Sequence, residues 1–326
     1  MKVLCYCEAN SKTGFGHFYR VAILIEIIRK KYLNSKFEIF SNNKKEANKF
    51  FKTKIVFSKN IFNFIEDNKD KYDLIILDPP YYEGMKNFKL NSKLKKIFFI
   101  KNRNFKILKL TDETKPTRHY CDYLINDYPL SIQFKKKYKS ANKNIILFLG
   151  IYAFLYSDLL LKKFKKPIKK YEFLIAFGGQ DPKNLAKKYF KSLSQLKIKK
   201  IFILNNLGYK AFSRYQNHYN IIKPLANQKK FLNFLKESKA YISTPSNIMF
   251  EAFSMNIPGI VIATQNRQKK MGSIFEKMNI VKSLGLFKNV SDVTILKSVE
   301  NICNIKFKFH KNKAIKIQQN LTKQIK

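Results

Sequence analysis

The chain has 326 residues, 45% of them hydrophobic, long enough for two domains and rich enough to bury a large core. Its net charge of +43, from 65 Lys and Arg against 22 Asp and Glu, usually signals nucleic acid or an anionic membrane. Here the charge is nearly all lysine: the arginines are Arg20, Arg29, Arg103, Arg118, Arg214 and Arg267 alone. Lys, Asn, Ile and Phe are inflated together while Trp is absent, as an AT-rich coding sequence would produce. A reader of nucleic acid is expected to use more arginine, whose planar fork suits phosphates and base edges. No nucleic-acid partner is therefore expected, although a basic surface would help draw in an anionic substrate. Cys5, Cys7, Cys121 and Cys303 show no metal-ligand spacing. Cys5 and Cys7 point to one face of a strand and read as core, and free thiols fit a reducing, cytoplasmic compartment. The N-terminal apolar run is too short for a secretory signal. The apolar segment 145–161 contains Gly150, Ser157 and Asp158 and falls short of the ~20 residues of a membrane span, so no transmembrane segment is expected.

In chain order, residues 2–7 are short, apolar and β-prone, the pattern of a buried first strand. The turn Gly14-Phe15-Gly16-His17 follows, and Val21, Ala22, Leu24, Ile25, Ile27 and Ile28 then recur at helical spacing over 21–31. Strands are expected at 37–40 and 55–57, with helical patterns at 44–51 and 61–65. A strong strand over 72–77 ends in Asp78-Pro79-Pro80-Tyr81, where the double proline forces a turn. Further strands are read at 97–100, 105–110 and 123–126, the second leading into Thr111-Asp112-Glu113. Segment 141–170 reads as a connector. A second series opens with a buried strand at 171–177, breaks at Gly178-Gly179-Gln180-Asp181-Pro182 and enters a helix over 183–194. Strands at 201–204, 221–222, 240–243 and 259–263 alternate with helices at 228–237 and 248–254, and 306–326 is a basic helix able to cross back onto the first domain. Alternating strands and helices in two halves specify an α/β protein.

Chemistry concentrates at strand-to-helix turns, since open α/β sheets bind ligands outside the carboxyl ends of their strands. His17 sits at such a turn, beside glycines and backbone N–H groups able to hold an anion. As a general base it would need reach to a substrate water or hydroxyl; a satisfied helix-end histidine is the bland alternative. Gly178 and Gly179 let the backbone approach a diphosphate, with a helix N-terminus behind them and Asp181 as a candidate N-cap. The turn lacks the G-x-G-x-x-G fingerprint and a Walker lysine. Ser243-Thr244-Pro245-Ser246 is a second phosphate candidate, and Glu251, a turn into the next helix, could accept both hydroxyls of a ribose; a plain cap with a solvated glutamate is its alternative. His119, His218 and His310 show no metal spacing.

Taken together, five runs resemble a bacterial family. They are Gly14-Phe15-Gly16-His17-x-x-Arg20, Asp112-Glu113-x-Lys115-Pro116 with Cys121-Asp122, Gly150-x-Tyr152-Ala153, Gly178-Gly179-x-Asp181-x-x-Asn184, and Ser243-Thr244-Pro245-Ser246 with Glu251-Ala252. The family is that of the UDP-2,4-diacetamido-2,4,6-trideoxy-β-L-altropyranose hydrolases of pseudaminic acid biosynthesis. The resemblance covers roughly residues 1–285 and implies the GT-B fold, two Rossmann-like doubly wound domains facing across a cleft. The chain's own pattern places domains at 1–140 and 171–305 flanking the connector, with a C-terminal basic helix over 306–326 that has no counterpart in the family. The resemblance implies a nucleotide-sugar hydrolase, acting as a monomer without cofactor or metal in pseudaminic or related nonulosonic acid synthesis for surface glycans. In that scheme His17 deprotonates a water that attacks the anomeric carbon. Gly14, Gly16, Arg20, Asp78, Tyr152, Asn266 and Gln268 meet the sugar, and Gly178, Gly179, Asp181, Ser243, Ser246 and Glu251 hold UDP. The family carries Asp-His-Tyr where this chain has Asp78-Pro79-Pro80-Tyr81, and an arginine near the position of Tyr156. A glycosyltransferase that passes the sugar to an acceptor is the alternative enzyme, and a basic RNA- or membrane-surface-binding protein the alternative of another class.

Overall fold

The computed structural model describes the whole chain except residues 9–14, 57–59, 80–86, 101–102, 163–167, 179–180, 182, 204–219, 223–227, 303–304 and 326. Gly14, Gly179 and Cys303 thus lie outside the described residues. The chain forms two compact units, one of Met1–Leu155 with Asn312–Lys326, the other of Tyr156–Lys311.

Unit 1 is built on a seven-stranded parallel sheet of order β3-β2-β1-β4-β5-β6-β7. Its strands are β1 (Lys2–Cys7), β2 (Lys36–Phe40), β3 (Lys54–Val56), β4 (Leu74–Asp78), β5 (Lys106–Thr111), β6 (Tyr123–Asn126) and β7 (Ile146–Leu149). Alternation along β1 and β4 sends Val3, Cys5, Cys7, Leu74 and Ile76 into one apolar layer and Leu4, Ile75 and Leu77 into the other. Both faces are therefore covered, as parallel sheets require. Helix α1 (Gly16–Lys31) packs Phe18, Val21, Leu24 and Ile28 into the first layer. Helices α2 (Lys44–Phe50), α3 (Ile61–Asp67), α4 (Asn87–Phe98) and α5 (Lys135–Ala141) follow in the same unit. Two sequence expectations change here. Residues 97–100, read as a strand, close α4 instead: Ile97 is a buried position of an amphipathic helix, whose apolar run at its end mimics a strand. The expected connector contributes β7, whose residues pair in register with β6 from Tyr123↔Ile146 to Asn126↔Leu149.

Unit 2 begins with α6 (Asp158–Leu161) and has a six-stranded parallel sheet of order β10-β9-β8-β11-β12-β13. Its strands are β8 (Tyr171–Ala176), β9 (Lys200–Ile203), β10 (Asn220–Ile222), β11 (Ser238–Ser243), β12 (Gly259–Ala263) and β13 (Val281–Leu286). Helices α7 (Leu185–Gln195), α8 (Gln228–Lys236), α9 (Asn247–Ser254), α10 (Asn266–Lys277) and α11 (Asp292–Asn301) complete it. Helix α7 starts two residues later than the sequence pattern implied, because Asn184 takes a left-handed φ of 50°. Helix α12 (Lys311–Gln324) then returns to unit 1, where Leu321 and Ile325 join the layer of α1. Among the described residues no helix is long and apolar enough to cross a membrane. In both sheets the strand order reverses at one place, between β1 and β4 in unit 1 and between β8 and β11 in unit 2. That switch point is where a doubly wound sheet opens a crevice for ligand.

Candidate functional site

At the switch point of unit 1, Cys7 at the end of β1 lies beside Asp78 at the end of β4. His17 is the second residue of α1. Its Nδ1 stands 2.9 Å from Asp78 Oδ1. Arg20, one helical turn on, donates from Nε to Asp78 Oδ2 at 3.1 Å and from Nη2 to Oδ1, a bidentate clasp. The spacing of three residues puts His17 and Arg20 on one helix face. Asp78 is fully buried, whereas the His17 side chain keeps 14% of its surface exposed. Burial works against a charge on Arg20, but Asp78, Asp112 and Asp127 outweigh it and raise the guanidinium pKa further. Asp127 Oδ2 lies 3.7 Å from Arg20 Nη1.

The tautomer follows from these partners. Arg20 Nη2 and His17 Nδ1 converge on the same carboxylate oxygen, 3.1 Å from each other. With Nδ1–H donating to Asp78, the lone pair of the neutral ring is on Nε2, and no hydrogen bond from a described residue reaches Nε2. A partly exposed imidazole oriented by a carboxylate is the arrangement of a general base. Arg20 and Asp78, both expected at the sugar, are bonded to each other beside His17. Arg20 is only 6% exposed, because three carboxylates draw its guanidinium inward. Asp127 escaped the sequence reading; its position directly after strand β6 was the available signal. Tyr152 lies half-buried in the 3-10 turn after β7, with Lys313 Nζ 5.5 Å from its ring centroid. Gly16 opens α1, whose N-cap Phe15 makes no side-chain cap.

At the switch point of unit 2, Gly178 follows β8 with φ of 82°, and a Cβ there would meet no described atom within 4 Å. Asp181 is buried and accepts from the N–H groups of Leu185 and Ala186, each at 2.8 Å. Burial raises its pKa against the opposing pull of those two donors. Its role is thus to close the N-terminus of α7 from within, which removes two of the donors that a diphosphate would use there. The N-terminus of α9 is different. Ser246 is its N-cap yet makes no cap; its hydroxyl donates to Thr244 O at 3.2 Å. Ser243, at the end of β11, is fully buried with an Oγ that finds no partner among the described residues. Glu251 lies buried on the same helix. A helix end without a side-chain cap and a buried hydroxyl without a described partner make α9, rather than α7, the better anion cradle. Asn266 is the exposed first residue of α10, while Gln268 Oε1 accepts from both Thr264 N and Thr264 Oγ1 at 2.8 Å and closes its own turn. Among the described residues no group of three or more His, Cys, Asp or Glu is placed to hold a metal ion.

No family model matches the sequence. The chain is 25% identical over 263 residues, 77% of its length and 88% of the relative's, to the UDP-2,4-diacetamido-2,4,6-trideoxy-β-L-altropyranose hydrolase of Campylobacter jejuni. Its fold is similar to that of the UDP-GlcNAc 2-epimerase of Methanocaldococcus jannaschii, with TM-score 0.59 and 14% identity over 99% of this chain and all of that one. It is also similar to MurG of Acinetobacter baumannii, with TM-score 0.58 and 9% identity over 100% and 99% of the two chains. The chain therefore has the GT-B fold of two Rossmann-like units, and in sequence it is similar to a nucleotide-sugar hydrolase.

Proposed function

We propose that the protein is an enzyme acting on UDP-sugars and, more closely, a hydrolase that removes UDP from a UDP-activated diacetamido-trideoxy hexose. The sequence likeness to the Campylobacter hydrolase and the shared fold support the wider reading. The observation that carries the finer one is His17 held by Asp78 and Arg20 at the switch point of unit 1, with Nε2 lacking a described partner. In this reading His17 Nε2 takes a proton from water as the water oxygen bonds to the anomeric carbon. The bond from that carbon to the diphosphate oxygen breaks, its electron pair leaves with UDP, and the configuration inverts. Asp78 stabilises the imidazolium that forms, as the buried carboxylate of a catalytic triad does. The uncapped N-terminus of α9, with Ser243 and Ser246, receives the diphosphate and stabilises its developing charge. Glu251 takes the ribose, and Gly178 with Gly179 lets the backbone approach. Gly14 and Gly16 leave room for the sugar, which Tyr152, Asn266 and the amide nitrogen of Gln268 contact. The product enters pseudaminic or related nonulosonic acid synthesis in the cytoplasm, and the protein acts as a monomer.

The test is incubation with UDP-activated diacetamido sugars, with products read by NMR. Free sugar and UDP in equal amounts are expected. Appearance of a glycosylated acceptor without free sugar, or of an epimerised sugar still joined to UDP, would overturn hydrolysis and leave a transferase or an epimerase.

A further inference from the structure

The run Asp112-Glu113 with Cys121-Asp122, part of the family resemblance, has no role in the scheme above. Its structure is a buried polar network. Glu113 Oε1 accepts from His119 Nε2 at 2.7 Å, from Tyr138 OH at 2.8 Å and from Thr117 N at 3.2 Å, and Oε2 accepts from Thr117 Oγ1 at 2.8 Å. Lys109 Nζ donates to the other nitrogen of His119 at 3.0 Å. Asn126 donates to Tyr138 OH at 2.9 Å and to the Glu113 carbonyl at 3.3 Å, while its own side-chain oxygen accepts from Tyr128 N. Glu113 and Asn126 are thus joined twice, once through the chain and once through the Tyr138 hydroxyl. Asp112 precedes Glu113 and Asp127 follows Asn126, and both carboxylates act on Arg20. Ion pairs this deeply buried are weak sources of stability, since apolar replacements of similar volume do as well.

We propose that Glu113 is a positioning residue: through Asn126 it fixes Asp112 and Asp127 against Arg20, and so sets the clasp of Arg20 and Asp78 that orients His17. The inference rests on the reading of His17 as a base, but its test needs no substrate. In the full chain labelled with ¹⁵N at arginine, few guanidinium signals arise, and Arg20→Lys identifies that of Arg20. Tyr138→Phe removes the hydroxyl that joins Glu113 to Asn126 without altering charge. Hydrogen exchange at Arg20 Nε is expected to quicken by about tenfold in that variant, the scale of coupling along packed polar networks. The guanidinium of Arg103, paired with Asp122 in the same unit, is expected to keep its rate. An unchanged Arg20, or equal quickening of Arg20 and Arg103, overturns the proposal. Glu113→Gln is expected to act in the same direction and more strongly; Tyr138→Phe decides the matter if that variant does not fold. Where turnover is present, kcat should fall in Tyr138→Phe with KM unchanged. An Arg20 response in a protein without hydrolysis would retain the positioning role and remove only the hydrolase reading.

Discussion

Unit 1 builds the same three-part motif twice: an imidazole, a carboxylate and a cation. In one copy His17 meets Asp78 and Arg20; in the other His119 meets Glu113 and Lys109. The copies differ in saturation. His119 has 1% of its side chain exposed and both ring nitrogens bonded, Nε2–H to Glu113 and Nδ1 to the Lys109 ammonium. Burial, then the adjacent Lys109, lowers its pKa, which favours the neutral ring. His17 Nε2 has no hydrogen bond from a described residue. A histidine becomes a reagent by what is left unbonded, and a truss by what is not.

The largest effect that would sharpen this contrast is on turnover. His17→Asn should lower kcat by about 10²- to 10⁴-fold, the usual contribution of a general base. It should leave the denaturation midpoint close to that of the parent, and a large loss of stability would break the comparison by making His17 a truss as well. Glu113→Gln should do the reverse first. Removing the charge that balances buried Lys109 costs about 3–5 kcal/mol, read as a lowered denaturant midpoint.

Acid should act on the second copy. The pKa of His119 is lowered from its ordinary 6.5, so its contribution is present above that value and lost as pH falls through the depressed one. For Glu113, burial would raise the pKa, but donation from His119, Thr117 and Tyr138 holds it below 4.5. Its contribution is present above 4.5 and disappears at still lower pH. Stability should therefore decline in two stages below pH 6.5, and His119→Gln should remove the upper stage; calorimetry at pH 7.5, 5.5 and 4 measures this. The smallest effect expected is on nucleotide binding. The thermal shift produced by UDP should be unchanged in His17→Asn, because the groups proposed to hold UDP are in unit 2. A lost shift would tie His17 to the nucleotide.

The strand-to-helix turns were legible in the sequence because apolar periodicity and glycine mark them locally. Asp78 and Ser243 each stand at a strand's carboxyl end and His17 at a helix start, as read from pattern alone. What pairs with what was not legible. Arg20 reaches Asp78 across 58 residues, and no periodicity encodes such a meeting. Asp181 was recognised as a capping residue, but not that capping would close α7 to a diphosphate. Glu113 and His119 were six residues apart in plain view; only the Tyr138 hydroxyl and Lys109 reveal them as a hub.

The return of α12 to unit 1 has a consequence for biosynthesis. Leu321 and Ile325 fill a layer whose other members, such as Val21 and Leu24, leave the ribosome far earlier. All of unit 2 is translated in between. At ~5–20 residues per second, the nascent unit waits on the order of 10 s with part of its apolar layer uncovered. During that interval the ribosome-bound chain offers chaperones a binding surface that the finished protein has closed.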